Sequence, residues 1–493
     1  MKPIIRYFRF SLLILCILLI AQAVNAQQYS FGMLRNDRKY MELQKKSLGI
    51  RYRGVLPPAY SLKEYAPAIG NQGKFGTCTA WSTAYYMRTM IEARTQNLRG
   101  NRSAIEAIRF SPTYIYEKIK QRTDNACQRG SFPADALDAM KKYGNVLHSR
   151  LPYPGCGTDV SRYDSEAAQY RIEGYQTLFD IKAATGDKIS RIKEALSQGE
   201  NPVPIGMAIP YSFVSAKENW KASPAESVEN DSTIAGYHAL TIIGYDDEKF
   251  GGSFLIANSW GEGWGDKGYT WGNYNDVVRF TQYAFQVYSE IKPGPGPGPE
   301  VVALQSSMDF ALTQGGNMPV ESIQERGLDT VDDRNGSVDM ITYKMRQPYV
   351  SGTSFKLTVN NSKPAYMYII GSDDVNRTTK LFPYSGTNEN ISPLVPGKSA
   401  VVLPANNRSF KMDTQVGNDY FLVLVSEEEL PFEETVSKIK SAQGNFKEKV
   451  YNALGSKLIA PADIQYRPNQ VAFEVRSGAK GSIVPMLVMI EHR

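Results

Sequence analysis

The stretch NQGKFGTCTAW at 71–81 places Cys78 directly ahead of a helix-compatible run, AWSTAYYMRTMIEAR. Far downstream, 237–269 reads YHALTIIGYDDEKFGGSFLIANSWGEGWGDKGY. Here His238 leads into the apolar run LTIIGY, which reads as a buried strand starting at that residue. A free thiol has a pKa near ~8.5 and is mostly protonated at neutral pH, whereas the thiolate is the nucleophile. An imidazolium close by stabilises the thiolate, and the imidazole later supplies a proton to a leaving amine. A helix N-terminus adds partial positive charge at its first turn, which favours a thiolate there. Cys78 is therefore the candidate nucleophile and His238 its base and acid. Taken singly, a cysteine is more often a buried apolar residue. The chain holds three histidines. His148, in a polar turn, and His492, one residue from the end, have no partners in sequence and read as surface residues.

The two segments together resemble the active site of papain-family cysteine peptidases. Gln72, Gly73, Gly76 and Cys78 follow the order Gln-Gly-x-x-Gly-x-Cys, and Trp81 is the large aromatic three positions on. Asn258 opens the block Asn258-Ser259-Trp260-Gly261-x-x-Trp264-Gly265-x-x-Gly268-Tyr269. The resemblance implies a Cys-His-Asn variant of the hydrolase triad, in which Asn258 holds the imidazole plane and Trp260 covers that bond from water. It also implies that the Gln72 amide and the Cys78 backbone N–H face the oxyanion of the tetrahedral intermediate. The segments CQRGSFPADALDAMKKYGNVLHSRLPYP at 127–154 and RIKEALSQGENPVPIGMAI at 191–209 continue the likeness, which covers roughly 60–285. Gly130 and Ser131 stand where the family's backbone pairs with extended substrate. Phe132, Pro133 and Ala239 stand where it lines the pocket for the second residue before the cut. The pattern is departed from at Phe75, where a cysteine is usual, at Thr79, at Tyr237 and at Ser131. None of these removes a catalytic atom.

At the N-terminus, Lys2, Arg6 and Arg9 precede the apolar run SLLILCILLIAQAV and the small-residue site Val24-Asn25-Ala26. This reads as a secretory signal, 1–26, in preference to a membrane anchor, so the chain is expected in the periplasm, on the cell surface or outside. Its removal lowers the net charge from +6 to +3 (6 − 3), too little to indicate nucleic acid. Of four cysteines, Cys16 leaves with the signal and Cys78 is the nucleophile. Cys127 and Cys156 remain, either as a disulfide, as export favours, or as two buried thiols. No metal-ligand spacing is present and no cofactor is expected.

The Pro-Gly run at 292–300 cannot form helix or sheet and marks a domain boundary. An α+β catalytic domain, 58–291, is expected before it, with a helical half carrying Cys78 and a β-rich half carrying His238 and Asn258. After it, 301–493 alternates short β-forming runs with polar turns and reads as β-sandwich-like, interrupted by one amphipathic helix at about 432–454. This part resembles a bacterial accessory domain of unknown function. Its partner, an envelope component or a protein, is left open. Residues 27–57 are short for the inhibitory propeptide usual among papain relatives, and read as an exposed lead or a short pro-segment. The favoured function is a secreted cysteine endopeptidase acting on peptide or protein through a thioester acyl-enzyme. The alternatives are an amidase, aminopeptidase or transpeptidase on cell-wall peptides, or a peptidase-like surface-binding protein without activity.

Overall fold

In a computed structural model, residues 29–46, 56–199, 201–289, 304–323, 340–386, 389–397, 400–405 and 408–493 are described. The signal segment 1–26 and the linker 292–300 lie outside them. Among the described residues no helix is long and apolar enough to cross a membrane.

The run after His238 does form a strand, Ile234–Asp246, buried from His238 to Tyr245. It lies inside an eight-stranded sheet, flanked by Val203–Pro210 on one side and Ser253–Ala257 on the other. Strands buried on both faces read as continuous apolar runs, which is why VPIGMAIP and SFLIA lack alternation. Against this sheet lies helix 78–95, whose central turns, Trp81–Arg88, widen to π geometry and are buried throughout. Small side chains let helix and strand approach. Ser82 Oγ donates to the Leu240 carbonyl at 2.6 Å, and Thr241 Oγ1 donates to the Ser82 carbonyl at 3.1 Å. These bonds fix the helix that starts at Cys78 against the strand that carries His238. Helices Pro112–Ile119 and Pro133–Lys142 complete the helical half, whose core joins Met87, Ile91, Tyr114, Leu137 and Met140. The disulfide forms: Cys127 and Cys156 are bridged, with Cα atoms 5.9 Å apart.

The second domain is a sandwich with a third layer. One sheet runs from Val320–Ile323 through Ile483–His492, Gly417–Ser426 and Ala365–Asp373 to Thr379–Phe382. The other is built on Ser354–Asn361, Leu304–Leu312 and Val471–Val475. In Gly417–Ser426, Phe421, Val423 and Val425 enter the core between the sheets, whereas Leu422 and Leu424 face the other way. That outer face is covered by helices Phe432–Ser441 and Phe446–Leu454 through Val436, Ile439, Val450 and Leu454. The single helix expected over 432–454 is thus two. Gly444 takes φ +103°, and Asn445 caps the second helix reciprocally with Glu448, so the chain turns where the periodicity alone runs on.

Two further expectations are corrected. His492 is not a surface residue: it is 2% exposed, and its Nδ1 lies 2.8 Å from Asp419 Oδ2, because the final strand is central to its sheet. His148 is half-buried, with its Nε2 accepting from the Tyr153 backbone N–H at 3.4 Å. Nor is the segment after the signal an exposed lead. Residues 29–46 form a strap that runs through the first domain and on to the second. Its helix, Asp37–Glu42, is capped by Asn36 and anchored by the buried Tyr40, whose hydroxyl donates to the Phe179 carbonyl at 2.9 Å.

Candidate active site

Cys78 opens its helix and is fully buried, with its Sγ accepting from the Ala239 backbone N–H at 3.4 Å. The preceding residue on that strand, His238, is also fully buried. Its Nε2 lies 2.9 Å from Asn258 Oδ1, whereas Nδ1 has no hydrogen-bond partner. Asn258 follows strand Ser253–Ala257, and its carbonyl accepts from the Tyr86 hydroxyl at 2.7 Å, a tie back to the Cys78 helix. With Oδ1 as acceptor, the ring carries its proton on Nε2, which leaves Nδ1 as the basic nitrogen. Trp260 stacks on the imidazole with ring centroids 4.6 Å apart and planes 30° from parallel.

Gln72 is fully buried beside this group. Ser259 Oγ donates to Gln72 Oε1 at 2.6 Å, which turns the amide so that Nε2 faces the cleft. Ser259 was not singled out in the sequence; its place beside Asn258 in the motif was the only signal. The departure at Thr79 has a use, since its Oγ1 donates to the Ser131 carbonyl at 3.1 Å and steadies the cleft wall. Gly130 takes φ +75°, with its N–H donating to Tyr116 Oη at 3.1 Å. Phe132 and Ala239 lie with Cys78 in one apolar cluster, and Pro133 starts the helix behind them.

The strap fills the space between these walls. The Ser30 carbonyl accepts from Gln72 Nε2 at 3.2 Å and from Trp260 Nε1 at 3.3 Å. Tyr29 stacks on Trp260 at 4.4 Å, and Phe31 meets His238 edge-on at 6.1 Å. Gly32 lies so close to Gly76 that a Cβ would come within 2.1 Å of the Gly76 carbonyl oxygen. Met33 donates its N–H to the Tyr237 carbonyl at 3.2 Å and joins the cluster of Phe132, Ala239 and Tyr283. The Ser131 N–H donates to the Gly32 carbonyl at 2.8 Å, and the Leu34 N–H donates to the Ser131 carbonyl at 3.0 Å, as in a parallel ladder. Tyr237, another departure, has its hydroxyl accepting from Arg35 Nη1 at 3.1 Å. Beneath the strap, burial pushes the Cys78 thiol up to about 11, partly offset by the N–H groups of Ala239 and Gly32. Burial also holds the His238 imidazole down to about 4, opposed by its bond to Asn258. Both shifts favour the neutral pair while water is excluded.

Residues 59–286 match the sequence profile described as papain family cysteine protease. Over this domain the chain is similar to the papain family. Residues 348–429 match a second profile, a domain of unknown function designated DUF4384. Among similar curated proteins, cathepsin K of Mus musculus is 26% identical over 221 residues, 44% of this chain and 60% of the relative. A cathepsin B-like cysteine proteinase of Schistosoma japonicum is 27% identical over 226 residues, 41% of this chain and 61% of the relative. The chain thus spans about three-fifths of the length of these two relatives. Among solved structures, xylellain, a cysteine protease from Xylella fastidiosa, is 21% identical with a TM-score of 0.41, covering 53% of this chain and 96% of that one.

Proposed function

We propose that this protein is an exported cysteine endopeptidase, held latent by its own strap. The observation that carries this reading is the pairing of His238 with Asn258 beside the Cys78 sulfur, with the basic Nδ1 left bare. Cys78 is the nucleophile. His238 takes its proton and returns it to the leaving amine, while Asn258 and Trp260 hold the ring. Gln72 Nε2 and the Cys78 backbone N–H stabilise the oxyanion. A thioester forms and water then hydrolyses it. Gly130 and Ser131 pair with the substrate backbone, and Phe132, Pro133 and Ala239 line the pocket for the second residue before the cut. Met33 of the strap, packed in that cluster, is consistent with an apolar occupant.

Internal cleavage is favoured over trimming of chain ends because the strap enters past Trp260 and leaves past Ser131. An extended chain therefore fits through with neither end walled. The strap itself resists cleavage by its direction. Substrate residues before the cut belong at Ser131, so substrate runs from Ser131 toward Trp260, and the strap runs the other way. In that orientation the amide nitrogen following each carbonyl points toward Ser131 and not toward His238, so protonation of the leaving group fails. The disulfide supports export.

The test uses the chain 27–493 carrying Gly32→Val, whose side chain cannot sit against Gly76. An epoxysuccinyl thiol probe should modify Cys78 once, and an unstructured protein substrate should be cut at internal positions. Both should be absent when Cys78→Ala is added. A folded, reduced Gly32→Val chain that takes up no probe overturns the reading.

A further inference from the structure

The strap does not end at the cleft. Beyond its helix, residues 44–46 lie as an extended stretch between two sheets. On one side the Gln44 carbonyl accepts from the Thr177 N–H at 3.0 Å, and the Lys46 N–H donates to the Thr177 carbonyl at 3.0 Å. Thr177 belongs to Gly174–Thr177, the edge strand of the protease sheet. On the other side the Lys45 N–H donates to the Asn390 carbonyl at 2.8 Å, and the Ser392 N–H donates to the Lys45 carbonyl at 3.0 Å. Side chains tie both sides: toward the first domain Lys45 Nζ pairs with Asp180 Oδ1 at 2.5 Å and the Thr177 hydroxyl donates to the Gln44 carbonyl at 3.5 Å, and toward the second domain three further bonds form. Asn390 Nδ2 donates to the Glu42 carbonyl at 2.9 Å, Ser392 Oγ donates to Gln44 Oε1 at 2.9 Å, and Gln44 Nε2 donates to Glu429 Oε1 at 2.7 Å.

The second domain is placed for this contact without the strap's help. Gln176 Nε2 donates to the Leu394 carbonyl at 2.6 Å, the Tyr366 hydroxyl donates to the Glu173 carbonyl at 3.0 Å, and Lys141 pairs with Glu429 at 2.6 Å. Tyr288, at the end of the protease sheet, packs among the apolar residues beneath the C-terminal helices. A strand edge that presents unpaired backbone groups captures an extended segment, and here two such edges face each other across one residue's width.

We propose that the C-terminal domain is an intramolecular clamp, whose edge at 390–392, with Glu429, grips residues 42–45 and so keeps the strap in the cleft. The ligand of this domain is thus an extended peptide segment of the same chain. The proposal rests on the latency reading above. It gives the strap two attachment points, so that release at the cleft is followed by rapid rebinding while the far end is still held. It follows that a cut within 47–55 leaves the strap bound, because the clamp contacts of the described residues all lie before that stretch.

The test measures the rate at which a soluble epoxysuccinyl probe alkylates Cys78 in intact 27–493, read by mass. Gln44→Ala/Asn390→Ala removes three of the side-chain contacts and touches nothing in the cleft. Lys45→Pro, in a chain with the C-terminal domain unchanged, deletes the N–H that reaches Asn390 and spares both bonds to Thr177; it is compared with Lys45→Ala, which shares its loss of the Lys45–Asp180 ion pair but keeps the N–H. Gly32→Val serves as the freed reference. Alkylation about ten-fold or more faster in Gln44→Ala/Asn390→Ala than in wild type and in Lys45→Pro than in Lys45→Ala, with Gly32→Val faster still, supports the clamp. Acceleration by Gly32→Val with Gln44→Ala/Asn390→Ala at the wild-type rate and Lys45→Pro at the Lys45→Ala rate overturns the clamp and leaves latency standing. No acceleration in any variant overturns latency, and the clamp with it.

Discussion

His238 Nε2 and Asn258 Oδ1 lie 2.9 Å apart, and this single contact decides which ring nitrogen faces the sulfur side of the cleft. Loss of the amide frees the ring to rotate and to change tautomer. In the strap-free Gly32→Val background, Asn258→Ala should lower kcat by about ten- to a hundred-fold. Alkylation of Cys78 should persist at a reduced rate. Unchanged kcat would show that another group orients the ring.

On the proposed mechanism Gln72 acts through its amide N–H, and Ser259 through the hydrogen bond it makes to the Gln72 amide oxygen. Gln72→Ala should reduce kcat by about 10²-fold with KM little changed, as expected for a donor used chiefly in the transition state. Ser259→Ala should cost less and in the same parameter. A rise in KM alone would place Gln72 in ground-state binding.

Strap binding should weaken in acid. The His238 imidazole is held down to about 4 by burial under the strap. Once water enters, it returns toward its ordinary value of about 6.5. Between those values the open form binds more protons than the closed form, so lowering the pH shifts the equilibrium toward release. Asp37 acts in the same direction, but only below the ordinary carboxyl value of about 3.9. Its carboxyl is lowered by its hydrogen bonds to Arg35 and, after that, to Tyr283, and both bonds weaken on protonation. In a Cys78→Ala chain, amide hydrogen exchange over 31–34 should be faster at about pH 4.5 than at about pH 7, after correction for intrinsic rates. Equal protection at both would remove His238 as the acid-sensitive group.

The Cys127–Cys156 bridge closes a loop with a sequence separation of 29 beside the cleft. Replacing both cysteines by serine should destabilise the protease domain by about 2–4 kcal/mol, read as a lower denaturant midpoint. A midpoint equal to wild type would mean that the loop is held by its other contacts alone.

The grouping of Gln72, Cys78, His238 and Asn258 was readable because they sit in motifs whose spacing reflects two strands and a helix end. The β character of the second domain was readable from runs such as DYFLVLV, although not its helical layer, since a strand buried on both faces hides which side meets what. Residues 432–454 keep one periodicity across two helices, so only the Gly444-Asn445 pair carried the break. The strap was missed for a different reason. Its length argued against an inhibitory role, yet a plug needs few residues when Gly32 lets backbone meet backbone and Tyr29, Phe31 and Met33 supply the apolar contacts. Burial of His492 was likewise invisible, because chain ends are ordinarily exposed.

The bracing of residues 42–45 by 390–392 joins segments 348 residues apart along the polymer. Whether the chain emerges from a ribosome or from a translocation pore, its N-terminal end leads. The plug therefore exists before the cavity it occupies, and the two halves of the enzyme close around it. The fastening is made hundreds of residues later, so a copy cut short before 390 would carry its stopper loose.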